Sequence, residues 1–316
     1  MPVEIGIGLQ SDKALADYAA LARSAEDLGI DVITVFSDLL YQPPIIPLME
    51  MARVTSRVRL GAACWNPYTL HPYEIAGQVA ALDAASGGRA YCGLAKGTWL
   101  DRLGIEQERP IGHLRAAARI IAALLAGDAD GIDSDLFPLA SDTTLRYPVL
   151  RSRVPLLIGA WGRQGVELAG ELADEIKIGG SANPALVPII REHLATGARR
   201  AGRDPREIRL VLGAVTVVDE NRDRARAHAR HEVGMYVDAV AALDPTITLP
   251  EDIDRHIPDD LLDLFAFSGS PDDVAAQAQR LIDVGVDRVE FGTPQGMTTA
   301  HGIDLLGRQV VPQLRR

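Results

Sequence analysis

Cysteine, lysine and long apolar runs are all scarce in this chain of 316 residues. Only Cys64 and Cys92 carry thiols, and both fall in apolar strand-like runs. That usage excludes a disulfide scaffold and predicts free thiols in a reducing compartment, the cytoplasm. No apolar run approaches the roughly 20 residues that a membrane-spanning helix needs. The opening MPVEIGIGL has neither a basic n-region nor a small-residue cleavage site, so it reads as a first strand and not as a signal peptide. The net charge is −11 and no basic cluster is present, which argues against nucleic acid and anionic membranes as partners. Lysine supplies only Lys13, Lys96 and Lys177 of the 32 basic residues. A G-x-S-x-G elbow and a P-loop are both missing. The seven histidines are dispersed; His228 and His231 alone are close, in an Arg-rich helix with no carboxylate ligand motif, so a solvated face is expected there and no metal.

What is present is a nearly unbroken alternation of strand-like and helix-like patterns. Strands are expected at 3–9, 31–37, 59–65, 90–95, 155–160, 175–179, 208–218 and 288–292, with a helical pattern after each. The helix from Lys13 to Leu28 shows the signal well: Leu15, Tyr18, Leu21, Ala22, Ala25 and Leu28 share one face, and Gly29 stops it. Eight βα units of this kind predict a single (β/α)8 TIM barrel spanning 1–316. Two stretches interrupt the rhythm. Residues 127–150 form a polar excursion before the fifth strand, and residues 243–268, rich in Pro and Asp, are inserted before the eighth. Excursions of that length in a compact domain are expected to be lids or interface elements.

Active-site groups of such a barrel project from the C-terminal ends of its strands. Those ends carry Ser37-Asp38, then Trp65-Asn66-Pro67-Tyr68 with His71, then Lys96-Gly97-Thr98-Trp99. The fifth strand ends in Gly159-Ala160-Trp161-Gly162-Arg163, and the sixth carries Lys177 before Gly179-Gly180. All three tryptophans are in this set, which suits a flat, partly apolar ligand. A glycine-rich turn at a helix N-terminus lets backbone N–H groups approach an anion, and Arg163 adds charge-assisted donors. Together these features point to a ring cofactor bearing a phosphate. Lys177, between Ile176 and Ile178, faces away from its apolar neighbours; it is read either as a cofactor contact or as an interior lysine paired with Glu175 or Glu290.

The segments LARSAEDLGID, RVRLGAACWNPYTLHPYEIAGQVAALDAASGGRA, PLLIGAWGRQGVELAGELADEIKIGGSANP and VDRVEFGTPQG resemble the luciferase-like flavin and deazaflavin oxidoreductases. The likeness is greatest to the branch of coenzyme F420-dependent methylenetetrahydromethanopterin reductase. It covers nearly the whole chain and implies a (β/α)8 barrel with insertions, coenzyme F420 as cofactor (FMN in some relatives) and a homodimer. It also implies a phosphate site at Gly159, Ala160, Trp161 and Gly162, with Gly179 and Gly180 beside it; Arg163 and Lys177 join the candidate cofactor contacts from the residue reading alone. Asp38, Asn66 and Gly97 then lie near the ring, above a non-proline cis peptide that falls by position at Ala63–Cys64. Departures from the branch occur at Gly8, Leu39 and Thr98, where it carries Glu, His and Asp, so tetrahydromethanopterin is not carried over as substrate.

The expectation is therefore hydride transfer between the deazaflavin and a C=C or C=N bond of a small organic substrate. Asp38 and Lys96 are the first choices for proton transfer, ahead of Lys177, Tyr68 and Glu290. Tyr68, His71, Trp99 and Glu290 are expected to contact the substrate. An FMN-dependent monooxygenase and a non-catalytic cofactor-binding relative are the alternatives.

Overall fold

The structure is a computed structural model that describes residues 3–128, 134–140, 142–250 and 257–315. Its strands are β1 (Glu4–Leu9), β2 (Val32–Phe36), β3 (Arg59–Ala63), β4 (Cys92–Leu94), β5 (Leu156–Gly159), β6 (Glu175–Gly179), β7 (Arg209–Val218), β8 (Ala266–Gly269) and β9 (Arg288–Gly296). Eight of them follow one another in the order β3-β2-β1-β9-β7-β6-β5-β4, and the pairings are parallel throughout. Bridges Leu60–Ala90 and Trp65–Leu94 bring β3 against β4 and close the ring. The result is the expected (β/α)8 barrel, and its eight strands are the eight read from the sequence. The helices α1 (Leu15–Asp27), α2 (Ile45–Val54), α3 (Pro72–Ser86), α4 (Pro110–Ala126), α5 (Arg163–Leu172), α6 (Leu186–Arg200) and α7 (Arg222–Gly234) follow their strands in turn. No helix of the described residues is long and apolar enough to cross a membrane.

β1, β6 and β9 alternate apolar residues with charged residues or glycine. The apolar set, such as Ile5, Ile7, Leu9, Ile176 and Ile178, is fully buried in the large cluster shared with the helices. The other set faces the barrel axis, where glycines on one strand leave room for long side chains from the next. A Cβ on Gly6 would stand 3.4 Å from Arg288 Cδ and from Glu290 Cγ, and one on Gly61 would stand 2.6 Å from the Tyr91 ring. At the N-terminal end Arg59 bridges Glu4 (2.6 Å) and Glu175 (2.8 Å), Arg209 holds Glu4 (2.7 Å), and the fully buried Arg288 holds Glu175 (2.7 Å). This ring of paired charges is the floor of the barrel.

The second excursion contains more regular structure than its composition suggests. After α8 (Val237–Ala241) and α9 (Asp259–Phe265) comes β8, a ninth strand that pairs with β7 along Val215–Val218, beyond the point where β6 ends. Four residues, Ala-Phe-Ser-Gly, are too short to show a period. A separate core of Val217, Val233, Leu262, Phe265 and Ala266 anchors the segment. It then braces the loop after β6: Ala182 N donates to Leu264 O (2.8 Å), and Asn183 Nδ2 donates to Asp244 (2.8 Å) and Thr246 (2.7 Å). The chain resumes with α10 (Pro271–Asp283), opened by a reciprocal Ser270–Asp273 capping box, then β9, α11 (Thr299–Leu305) and α12 (Val311–Leu314). The first excursion docks through Phe137, whose ring meets His71 and His113 edge-on at 5.5 and 5.4 Å. Parts of both excursions, 129–133, 141 and 251–256, fall outside the described residues.

Candidate active site

Three strand ends build the near wall of the barrel mouth. Asp38 continues the inward row of β2 past Thr34 and Phe36, and Gln10 Nε2 donates to its Oδ2 at 3.2 Å. Burial pushes the Asp38 carboxyl above its usual range, while the Gln10 hydrogen bond and the Lys177 charge oppose that rise. On β3 the Ala63–Cys64 peptide is cis, at the bond the resemblance implies. The Cys64 thiol is pushed up to about 12, chiefly by burial, so it is a neutral group near pH 7 and not a nucleophile. Asn66 Oδ1 accepts from Tyr68 N (3.2 Å), Thr69 N (3.0 Å) and Thr69 Oγ1 (3.0 Å), folding the loop after β3. A cavity of about 360 Å³ opens between this loop and residues 37–44, lined by Asp38, Trp65, Asn66, Thr69 and Gln78 among others.

The far wall is the pair of glycine endings on β5 and β6. Trp161 Nε1 donates to Gly179 O at 3.0 Å and ties the two ends together. Helix α5 begins at Gly162 with no side-chain cap, so its first-turn N–H groups are available to an anion. A Cβ on Gly162 or on Gly179 would meet nothing within 4 Å; both face open space. Gly180 has a different reason: its φ is +81°, and Val240 of α8 packs against it. Gly159 differs again, because a Cβ there would lie 2.9 Å from Cys64 Sγ, so this glycine admits the thiol.

Several sequence-predicted residues are placed differently from the expectation. Glu290 does not reach the mouth: it is 1% exposed in the barrel interior, where it is the counter-ion of Lys177. Burial and charge pairing explain both residues, and of the two partners considered for Lys177 the structure selects Glu290. Thr34 Oγ1 donates to Glu290 at 2.7 Å, and Tyr91 hydroxyl stands 2.7 Å from Thr34. Arg163 turns along its own helix to Glu167 (2.7 Å) and leaves the α5 N-terminus to backbone donors. Tyr68 donates to Glu108 O at 2.5 Å and stacks on His113, while His71 Nδ1 accepts from Tyr73 N (3.1 Å) as the cap of α3 and its ring meets Phe137 of the first excursion. Lys96 is exposed, and Gln107 binds its carbonyl. Gly97, with φ +83°, packs on Asn66, and Trp99 stands 53% exposed on the rim.

Two residues at the mouth had no counterpart in the sequence reading. Gln10 was legible in principle, since it extends the inward row Glu4, Gly6, Gly8 of β1. Gln295 was not: it is fully buried after the cis Thr293–Pro294 bond, with φ +69°, and donates to Gly8 O at 2.6 Å. Gly8 is itself enclosed, since a Cβ there would lie 2.5 Å from Phe36 Cζ and 3.1 Å from Glu290 Oε1.

The luciferase-like monooxygenase family model matches residues 1–288, most of the barrel and both walls of the mouth. The chain belongs to this family. Among family relatives, a 5,10-methylenetetrahydromethanopterin reductase of Archaeoglobus fulgidus is 28% identical over 99% of this chain and 100% of its own length. An F420-dependent glucose-6-phosphate dehydrogenase of Nakamurella multipartita is 24% identical over 99% of this chain and 97% of its own. The solved structure of the coenzyme F420-dependent tetrahydromethanopterin reductase from Methanopyrus kandleri superposes with a TM-score of 0.89 at 25% identity, covering 99% of this chain and 100% of that one.

Proposed function

We propose that this luciferase-like chain is a coenzyme F420-dependent oxidoreductase acting on a C=C or C=N bond of a small organic molecule. The observation that carries the reading is the double glycine ending. Gly162 and Gly179 face open space beside the bare N-terminus of α5, which is what a phosphate of a ring cofactor needs. The F420-dependent relatives support the choice of deazaflavin. When bound, the deazaflavin supplies the hydride. The chain supplies the rest. Gly159, Ala160, Trp161, Gly162, Gly179 and Gly180 hold the phosphate through backbone groups. Ala63, Cys64, Asn66 and Gly97 shape the ring's bed, Cys64 as an uncharged thiol. Asp38, half-buried and hydrogen-bonded to Gln10, holds or moves the proton. Lys96 reaches in from the rim as a second proton donor, and Trp99 meets the substrate beside it. The same reading places the enzyme in the cytoplasm as a homodimer, to be tested by fractionation and light scattering.

Titrating the purified protein with coenzyme F420 and with FMN tests the proposal. Tight deazaflavin binding, followed by its oxidation or reduction with a panel of enones and imines, is the expected result. Tight FMN binding with no response to the deazaflavin overturns it in favour of monooxygenation. Deazaflavin binding with no turnover across the panel favours a carrier. A Lys96→Ala variant with wild-type turnover removes Lys96 from the proton path.

A further inference from the structure

The end of the barrel opposite the mouth holds a cavity that the proposed reaction does not use. It measures about 170 Å³ and lies between the C-terminal half of α4 and the edge where β4 and β5 begin. Cys92 and Leu156, the first residues of those strands and partners in their register, form one wall. Burial pushes the Cys92 thiol above its usual range, so it enters that wall as an uncharged group. Ile121 and Leu125 of α4 and Leu172 of α5 complete the apolar lining. The room comes from Ala118 and Ala122, one turn apart on α4, the second of them exposed. Protein interiors are packed to the density of organic crystals, and a larger residue at either alanine would close such a gap.

The charged part of the lining is unequal. Arg119 and Arg153 stand against one carboxylate, Asp174. Asp174 is already satisfied, by Arg153 and by the Leu156 N–H at 2.8 Å. Arg115, one turn before Arg119, is held by Glu171 at 2.5 Å. Arg119 is exposed and has no acidic partner among the described residues. One positive charge therefore stands uncompensated beside an apolar hollow.

Those two features fix the chemistry of an occupant. An apolar cavity of about 150 Å³ admits benzene, so this one takes a single ring or a chain of similar bulk. A helix of another chain, about 10 Å across, is too wide for it. The uncompensated charge calls for one anionic group, and a guanidinium meets a carboxylate in a bidentate fork. A phosphate or a sugar offers the apolar walls no matching surface, and a metal ion would find the one carboxylate taken by Arg153.

We propose that this cavity is a binding site, apart from the barrel mouth, for a small monocarboxylate whose apolar body is about the size of a benzene ring. The body fills the hollow between α4 and the first residues of β4 and β5, and the carboxylate meets Arg119 at its edge. Active sites of this fold lie at the C-terminal ends of the strands, so the occupant is not the substrate of the mouth. The inference goes beyond the cofactor reading and does not rest on it.

The experiment titrates the full-length protein with para-fluorobenzoate, followed by fluorine-19 NMR, without added cofactor. The wild type is expected to give a saturable response in the millimolar range or below. Ala122→Leu, at an exposed helical position that leucine suits, narrows the hollow and should abolish that response. Arg119→Gln removes the charge and should weaken para-fluorobenzoate about tenfold, while uncharged fluorobenzene binds as before. Asp38→Asn, at the other end of the barrel, should bind the probe as the wild type does. No saturable binding by the wild type overturns the proposal, as does wild-type binding by Ala122→Leu. An affinity for para-fluorobenzoate that Arg119→Gln leaves unchanged overturns it too, because the carboxylate then has another seat. Loss of binding in Asp38→Asn would put the probe at the mouth and overturn it equally.

Discussion

The two faces of the same strands are packed by opposite chemistry. On β6, Ile176 and Ile178 are sealed among helix side chains, while Glu175 and Lys177, nearly as inaccessible, face the barrel axis. The outer face is held by apolar area removed from water, at roughly 25 cal/mol per Å². The inner face gains far less of that kind, from the small cluster of Val32, Tyr91 and Leu157. It persists because each charge has a partner within reach and each glycine leaves room for a long neighbour. A loss on the outer face should therefore scale with the volume deleted. A loss on the inner face should depend on whether the partner is deleted too.

The sharpest break of that contrast is Glu290→Ala, which strands the Lys177 ammonium in the interior. A cost of about 3–5 kcal/mol is expected in urea unfolding, while Lys177→Met with Glu290→Met should return close to wild-type stability. If the double variant is as unstable as the single one, the inner face is not a pairing device. On the outer face Ile178→Ala should cost about 3 kcal/mol, with no second substitution among polar residues able to restore it. The acid side adds a third test. Burial of Glu26 favours its neutral form, but backbone N–H groups of Val58, Arg57 and Ser56 outweigh that and hold its pKa at about 2. A carboxyl with a depressed native pKa stabilises the fold above its unfolded value near 4.3 and loses that contribution as the pH falls towards 2. Glu26→Gln should thus be less stable than wild type by roughly 2 kcal/mol at pH 7, and the gap should close between pH 5 and pH 2. The smallest effect belongs to the surface. Arg163→Ala removes only an exposed i,i+4 pair with Glu167 and should shift stability by no more than about 0.5 kcal/mol.

Much of the architecture was legible before any coordinates. The eight barrel strands, the mouth as the meeting point of their C-terminal ends, and the position of the cis bond at Ala63–Cys64 followed from period, order and resemblance. β8 was hidden because four residues carry no period and their partner, Val215–Val218, lies about fifty residues earlier. The glycines of the mouth were legible as a group but not by cause. Gly162 and Gly179 leave open space, Gly180 needs a positive φ, and Gly159 admits a thiol from β3. Tyr68 and His71 were placed at the right loop, yet their polar atoms are committed to Glu108 and Tyr73. Glu108 lies forty residues from Tyr68 and leaves no mark on the local pattern, whereas His71 caps the helix that follows it.

The strand sequences EIGIGL, EIKIG and RVEFG contain the alternation, its register and the residue types on each side. A chain with that pattern must form strands with one apolar and one polar face, because side chains alternate across a strand with a period of two. Which face looks inward was decided only by closure. In an open sheet the face bearing Glu175, Lys177 and Glu290 would lie in water. Joining β3 to β4 turns it onto the axis, where water is excluded and each charge has to find an opposite one. Lys177 and Glu290 are 113 residues apart in the chain, and the ring brings them together.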